Sequence, residues 1–510
     1  MKRNVVMKPI ASWKRCLLAL VLLSFPMLLR ESGAQVALTL DKSIAIAGRN
    51  SPDIRRSLLN LSRYRESLNA QRASLRSKFS MDLNPVTFDQ SRMFDNRFNK
   101  WFTNRNFQSY GTFRIDQPIK WTDGTVSLIN RFGWQKNMSD FTGDVEQNES
   151  FTNRLYLSYN QPLFTYNRMK LDLRELELNY ENANISYALQ KLNLEKNVTR
   201  FFYNVYLYQM SLDIARAELD NTQRSYEIIK RKVEAGLSAK EELYQAELNL
   251  ATARSAVENK KVDLENAKDE FKRFLGMDLH DSIVILADIS VPQVEVDLEK
   301  AVQYGLSSRM ELRQREIDIE SSQFQLIRTR AMNEFRGDLG LAIGIMGDDP
   351  ALGQIYDKPT NNPSVALSFR IPLFDWGEKK ARIRAQEAVI ESQQLNLDEE
   401  KKQIIIDIRK VYRNLRNQLN QISIAKQNVR NAELTYEINL ERYRNGDLTS
   451  MDLNLYQNQL SQKKMAYAQA LINYKLELLN LKIQTLYDFE HQQPLVPANL
   501  FLRTPEAGEQ

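Results

Sequence analysis

The chain has 510 residues, of which 43% are hydrophobic and 26% charged, enough to bury one large core or several. Only 17 glycines and 14 prolines occur, alongside abundant Leu, Ala, Glu, Gln, Asn and Lys, a balance that favours long helices and excludes collagen-like or low-complexity chains. Of the formal charge of +6, a net +5 falls in residues 1–34, so the remainder is nearly neutral and makes no global electrostatic case for nucleic-acid binding.

The first predicted element is a signal peptide over 1–34. Lys2, Arg3, Lys8, Lys14 and Arg15 form a basic start, Leu17 to Leu29 is a short apolar core, and Ser32-Gly33-Ala34 offers a cut before Gln35. That core contains Pro26 and falls short of the roughly 20 residues a spanning helix needs. Its removal takes away Cys16, the single cysteine, and with it disulfide or thiol chemistry. No later stretch is apolar enough for a spanning helix, so a membrane crossing would have to be a β-barrel.

Phe79, Met81 and Leu83 alternate with Ser80, Asp82 and Asn84, a period-2 strand with one apolar face. Phe113 to Trp121 and Val126 to Trp134 flank Asp123-Gly124 as a hairpin candidate. Leu155, Leu157 and Tyr159 form another alternating strand, which runs into Pro162-Leu163-Phe164. From Phe164 to Leu275 the sole glycine is Gly236, and no proline occurs before Pro292. This predicts a helix over 167–234, closed at Gly236, and a return helix opened by a Ser238-to-Glu241 capping box. A helix of that length spans roughly 100 Å and implies coiled-coil packing.

The pattern then repeats. Leu298-Glu299 and Ser307 to Leu312 echo Leu40-Asp41 and Asn50 to Ile54. Alternating strands recur at Leu339 to Ile345 and Val365 to Ile371, ahead of Pro372-Leu373-Phe374, 210 residues after the first Pro-Leu-Phe. At that same offset Tyr226-Glu227-Ile228 recurs at 436–438, Gly236 as Gly446, Leu243 as Leu453 and Leu250 as Leu460. The earlier part is offset by 258, so the first repeat carries extra material within 89–150. The domain organisation expected is a first repeat over 35–290, a second over 291–490 and a C-terminal tail over 491–510. The fold class is mainly α with a small β part, built from duplicated strand-strand/long-helix-hairpin units. Four core strands cannot close a transmembrane barrel, for which about eight is the minimum, so a barrel reading requires oligomers.

Taken together, these motifs resemble the TolC-like outer membrane efflux proteins over about 38–488. The similarity lies in Leu40 to Ile54, in Leu367 to Gly377, in Phe274-Leu275-Gly276, and in the two tips Ala235 to Leu243 and Arg444 to Leu453. The resemblance implies a homotrimer: an outer-membrane β-barrel of twelve strands, four per chain, continued as a periplasmic α-helical barrel. Its implied partners are outer-membrane lipid, a periplasmic adaptor protein and an inner-membrane pump. The insert at 89–150 departs from the family pattern and leaves the strand count open.

The resemblance assigns adaptor docking to Gly236, Leu237, Ser238, Gly446, Leu448 and Thr449, which as turns and caps they would serve in any case. It places Asp452 at the closed periplasmic entrance, where three copies would form a carboxylate ring that favours cations. The plainer reading is that Asp452 complements the positive end of a helix near Thr449 and Ser450. A second acidic position, three residues on in some members, is Leu455 here, so a single ring is expected. Glu242 is the first-repeat counterpart, and the basic partner expected for it is replaced by Leu448. Pro162, Leu163, Phe164, Pro372, Leu373 and Phe374 mark the strand-to-helix junctions.

No catalytic, metal or cofactor constellation is legible. His280 and His491 lie far apart, and no Gly-rich phosphate loop is present. The competing class is a coiled-coil scaffold without a pore, against which the duplicated strands argue.

Overall fold

The protein is described by a computed structural model over residues 36–97, 99–140, 146–291, 294–445 and 447–495. The predicted leader and Gly446 lie outside the described residues, as does most of the predicted tail. In chain order the elements are β1 (Val36–Leu38), α1 (Leu40–Asn50), α2 (Pro52–Ser74), β2 (Lys78–Asp95), β3 (Lys100–Ile119), β4 (Gly124–Ser139) and β5 (Glu146–Leu163). Then come α3 (Arg168–Glu234), α4 (Lys240–Leu275), β6 (Ile283–Ile285), α5 (Leu298–Ser308), α6 (Met310–Arg330) and β7 (Arg336–Asp349). Then follow β8 (Thr360–Asn361), β9 (Ser364–Arg370), α7 (Glu378–Asn445), α8 (Ser450–Thr485) and the short antiparallel pair β10 (Tyr487–Asp488) and β11 (Gln493–Pro494).

The duplication is visible in these bounds. Helices α1 and α5 start and stop 258 residues apart, and α3 and α7 both begin and end about 210 apart. Each opening helix breaks before its successor, at Ser51-Pro52 and at extended Arg309; in the first repeat the break suits Pro52, because proline at the first helical position fits an N-terminus and no interior.

The described chain forms two compact units, each drawing on both repeats. One comprises 36–50, 198–289 and 434–465. In it, β1 pairs in parallel with β6, burying Leu38 and Ile283, a pairing absent from the sequence reading. Helix α4 ends at Gly276, whose φ of 69° is open to glycine at little cost. A Cβ there would lie 2.7 Å from the Asn50 carbonyl oxygen at the end of α1.

The other unit comprises 51–197, 290–433 and 466–495. It holds one antiparallel sheet ordered β2-β3-β4-β5-β7-β9, with β8 a short side pairing on β7. Six long strands replace the four expected. The hairpin of residues 100–139 does not cover the sheet; it is inserted between β2 and β5 and paired along its length on both sides. Its sequence explains this: Phe113 and Ile115 on β3, and Val126, Leu128, Phe132 and Trp134 on β4, keep the same period as their neighbours. Below the sheet, Leu178 and Ile185 of α3 pack on Met310 and Ile317 of α6. Val411 and Leu415 of α7 pack on Tyr474 and Leu481 of α8.

Candidate functional site

The site begins with the two faces of the sheet. Registers pair Phe79 with Ile115, Met81 with Phe113, Leu128 with Leu157, Leu157 with Ile343, and Leu339 with Leu367. Alternation then puts these side chains on one face across all six strands. Many are open to solvent in the single chain: Met81 is 66% exposed, Ile343 65% and Val365 76%. The opposite face carries Ser80 and Asp82, Arg114 and Asp116, Ser127 and Arg131, Arg154 and Ser158, then Gly340, Ala342 and Gly344, and Ser368. On that face the Ser127 hydroxyl donates to Asp116, and the Arg131 guanidinium lies 3.7 Å from the Tyr110 ring centroid. Asn130 and Asn153 are polar residues set among this apolar face. They satisfy each other at 3.1 Å, and Asn153 also donates to the Tyr356 hydroxyl, as a polar group in an apolar setting requires. An apolar outer face and a polar inner face are what a lipid-embedded wall needs.

At the strand-to-helix junctions, Pro162 and Leu163 end β5 against Asp338 and Gly337. Phe164 turns the chain with φ 59°, its ring 5.3 Å from Phe335, which stacks on Phe369. Asn167 then caps α3, accepting from the Lys170 N–H at 2.8 Å. Its amide donates to the carbonyl oxygens of Lys120 and Trp121 in the β3–β4 turn. That turn is longer than a two-residue Asp-Gly loop: Asp123, at φ 62°, closes back on the Ile119 carbonyl. In the second repeat Asp375 caps α7, accepting from the Gly377 and Lys379 N–H groups. Leu373 and Trp376 are each 91% exposed, and Phe374 meets Trp376 edge-on at 4.7 Å.

The hairpin tips share one closure. Leu237 N–H donates to the Lys232 carbonyl at 2.8 Å and Gly236 N–H to Val233 at 3.0 Å, a Schellman end with Gly236 at φ 75°. Asp447 N–H donates to Arg442 at 2.9 Å, the same bond 210 residues on. The return helices open differently. Asp452 N–H donates to the Thr449 hydroxyl oxygen at 3.2 Å, and that hydroxyl donates to the Asp452 carboxylate at 2.7 Å, a local cap. In the first repeat the equivalent of Thr449 is Ala239, which has no side-chain cap. Ser238 sits one residue too early, so the box expected from Ser238 to Glu241 does not form and its hydroxyl donates to Glu242. Lys232 stands 5.7 Å above the Tyr443 ring, and Gln457 donates to the Glu218 carbonyl, tying the helices at this end. Glu218 is raised in pKa by burial. Leu237 and Met451 are 79% and 74% exposed at the two tips.

One grouping was missed in the sequence. Asp488, Glu490 and His491 bring possible ligand atoms within 4.8 Å. Asp488 is engaged there by the Lys482 ammonium at 2.9 Å and the His491 ring at 3.1 Å. His280 pairs with Asp278 at 3.0 Å, in solvent. Among the described residues no helix is long and apolar enough to cross a membrane.

A sheet with one apolar and one polar face, whose strands β5 and β9 lead into the long helices α3 and α7, defines the class: an outer-membrane channel wall joined to periplasmic helices. The outer membrane efflux protein family matches residues 125–277 and 303–483, and the chain belongs to it. That membership places it in the outer membrane, with a large periplasmic part. The chain is 23% identical to the alkaline protease secretion protein AprF of Pseudomonas aeruginosa, over 61% of this chain and 64% of AprF. It is 23% identical to the cation efflux system protein CusC of Escherichia coli O157:H7, over 51% of this chain and 56% of CusC. The matches thus span less than two thirds of these relatives. In fold it is similar to the Campylobacter jejuni CmeC outer membrane channel, with a TM-score of 0.68 at 15% identity, covering 90% of this chain and 87% of that one. The open Neisseria gonorrhoeae MtrE outer membrane channel gives 0.62 at 14% identity, covering 89% and 90%.

Proposed function

We propose that this chain is the outer-membrane exit duct of a tripartite efflux or secretion system, working as a homotrimer that conducts its cargo passively. The observation that carries this reading is the single sheet, apolar on one face and polar on the other, whose strands run into the helix pairs at Phe164 and Phe374. Such a sheet has no use in a scaffold that stays in water, where the apolar face would be an association hazard. The helix tips at Gly236, Leu237, Ser238, Gly446, Leu448 and Thr449 dock a periplasmic adaptor, which couples the duct to an inner-membrane pump. Asp452 from three copies lines the entrance, with Glu242 beside it. The repeats divide the chain at about 290, and the mature protein starts near Gln35.

The purified protein is expected to form trimers in detergent and discrete conductance steps in planar bilayers. Deleting the gene is expected to raise the cell-associated level of an exported compound or polypeptide. Recovery as a free periplasmic monomer, inert in bilayers, would return the scaffold reading.

A further inference from the structure

The sheet carries a consequence for the size of the duct, one that rests on the threefold reading above. We propose that each copy gives six strands to the wall, so that three copies close an eighteen-stranded barrel in which β2 of one copy pairs with β9 of the next.

The inserted hairpin is part of the wall by three observations. It is bonded to β2 on one side, with a single register shift, and to β5 on the other, and its own two strands make 16 residue pairs. Its apolar residues Phe113, Ile115, Val126, Leu128, Phe132 and Trp134 continue the lipid-side face. Its turn is fastened to the start of α3 through Asp123 and Asn167, so the hairpin cannot swing out as a loop without breaking those bonds.

The two free edges suit each other. Six strands are an even number, so β2 and β9 run in opposite directions, as an antiparallel junction between copies requires. Within one chain β2 and β9 are not paired with each other, and six strands are too few to close alone. On β2 the ladder shifts between Asn84 and Thr87, at Pro85, a residue confined to edges and bulges. That leaves seven regular residues, 78–84, before the bulge, and β9 is itself seven residues long. Both segments present apolar residues at alternate positions on the same face: Phe79, Met81 and Leu83 opposite Val365, Leu367 and Phe369. A second copy of this chain therefore fits the edge in length, direction and face.

Barrel diameter grows roughly in proportion to strand number, so eighteen strands make a wall roughly 1.5 times wider than twelve would, in the range of porins that hold an open aqueous lumen. The wall is then wide at the exit, and any restriction on cargo falls to the helical part.

Two measurements test this on the full-length mature protein. Mass determination of the detergent-solubilised particle gives the number of copies, and electron cryomicroscopy viewed down the barrel gives the number of strands. Three copies with eighteen strands are expected. Three copies with twelve strands would overturn the inference and leave the exit duct standing. Two copies with twelve strands would overturn the inference and the trimer together, and a water-soluble monomer would sink the duct itself. For the edge pairing, Ser80→Cys is combined in turn with Ala366→Cys, Ser368→Cys and Arg370→Cys in the mature chain, which has no other cysteine. Oxidation is expected to convert intact trimers to covalent trimers for at least one pair. Failure of all three pairs in trimers of native mass would overturn the β2–β9 junction.

Discussion

Asp123 accepts from Arg168: the guanidinium Nε lies 2.9 Å from the carboxylate, whose other oxygen takes the Met169 N–H at 3.0 Å. Asp123 is 4% exposed, so this carboxylate, sited in the turn of the inserted hairpin, serves as the anion at the positive end of α3. The Arg168 charge is in turn more firmly held, chiefly through that hydrogen bond. Replacing Asp123 with Ala is expected to cost about 1–2 kcal/mol, because a helix N–H loses its acceptor while the exposed Arg168 regains water. Asp123→Asn should retain part of this. Thermal melting of the purified protein would check the order, and equal stability of all three proteins would show that the hairpin is held by its ladders alone.

Gly276 offers a sharper test of local geometry. Alanine there must adopt φ near 69° and crowd the Asn50 carbonyl, so Gly276→Ala should destabilise the unit containing α1 and α4 by at least about 2 kcal/mol. Hydrogen exchange at 36–50 and 198–289 should rise first. Unchanged protection there would mean the turn rearranges freely.

The cap at Thr449 and the entrance role of Asp452 separate by substitution. Thr449→Ala removes the hydroxyl that the Asp452 N–H uses, at about 1 kcal/mol, and should leave ion selectivity alone. Asp452→Ala keeps that N–H bond and removes only the carboxylate that takes the Thr449 hydroxyl, so on the proposed entrance role cation preference and block by multivalent cations should both fall. If the two variants conduct identically in planar bilayers, Asp452 is a helix-end acid and the restriction lies elsewhere.

Acid should reveal Asp488. Burial by itself would raise its pKa, but hydrogen bonds from Lys482 and from the His491 backbone and ring outweigh this and hold it at about 2. The folded value lies below the roughly 3.9 of an unfolded aspartate. Its stabilisation is therefore complete above about pH 4 and disappears as pH falls through about 2. Asp488→Asn should lower stability at pH 7 by about 2 kcal/mol and show a flatter decline between pH 4 and 2. Parallel melting curves across that range would contradict the assignment.

Much of the site was legible where it depends on near neighbours. The helix ends at Gly236 and around Asp447 follow from glycine and the six-residue closure it permits, and α3 is bounded within a residue by the absence of proline and glycine. Strand alternation at 79–83, 155–159, 339–345 and 365–371 identified the apolar face, although the last strand ends at Arg370 and Ile371 lies beyond it. The cap at the first tip was misread, because a Ser-x-x-Glu pattern does not say which residue leaves the helix first, and the chain leaves at Ala239. The Asp488 cluster was missed because its ligand atoms come together only after α8 has ended.

The amino-acid sequence by itself determined the duplication, the long helices and which side chains of each strand share a face, since all of these are set by periods of a few residues. It could not determine that the insert joins the wall between β2 and β5, that β1 pairs with β6 across some 245 positions, or that Asp123 caps a helix 45 residues away. An alternating hairpin satisfies its own pattern equally well on a sheet, across its mouth or in solution. The choice is made by the backbone groups of β2 and β5, which need partners along their whole length, and by a buried carboxylate that finds its cation only when the hairpin lies in the sheet.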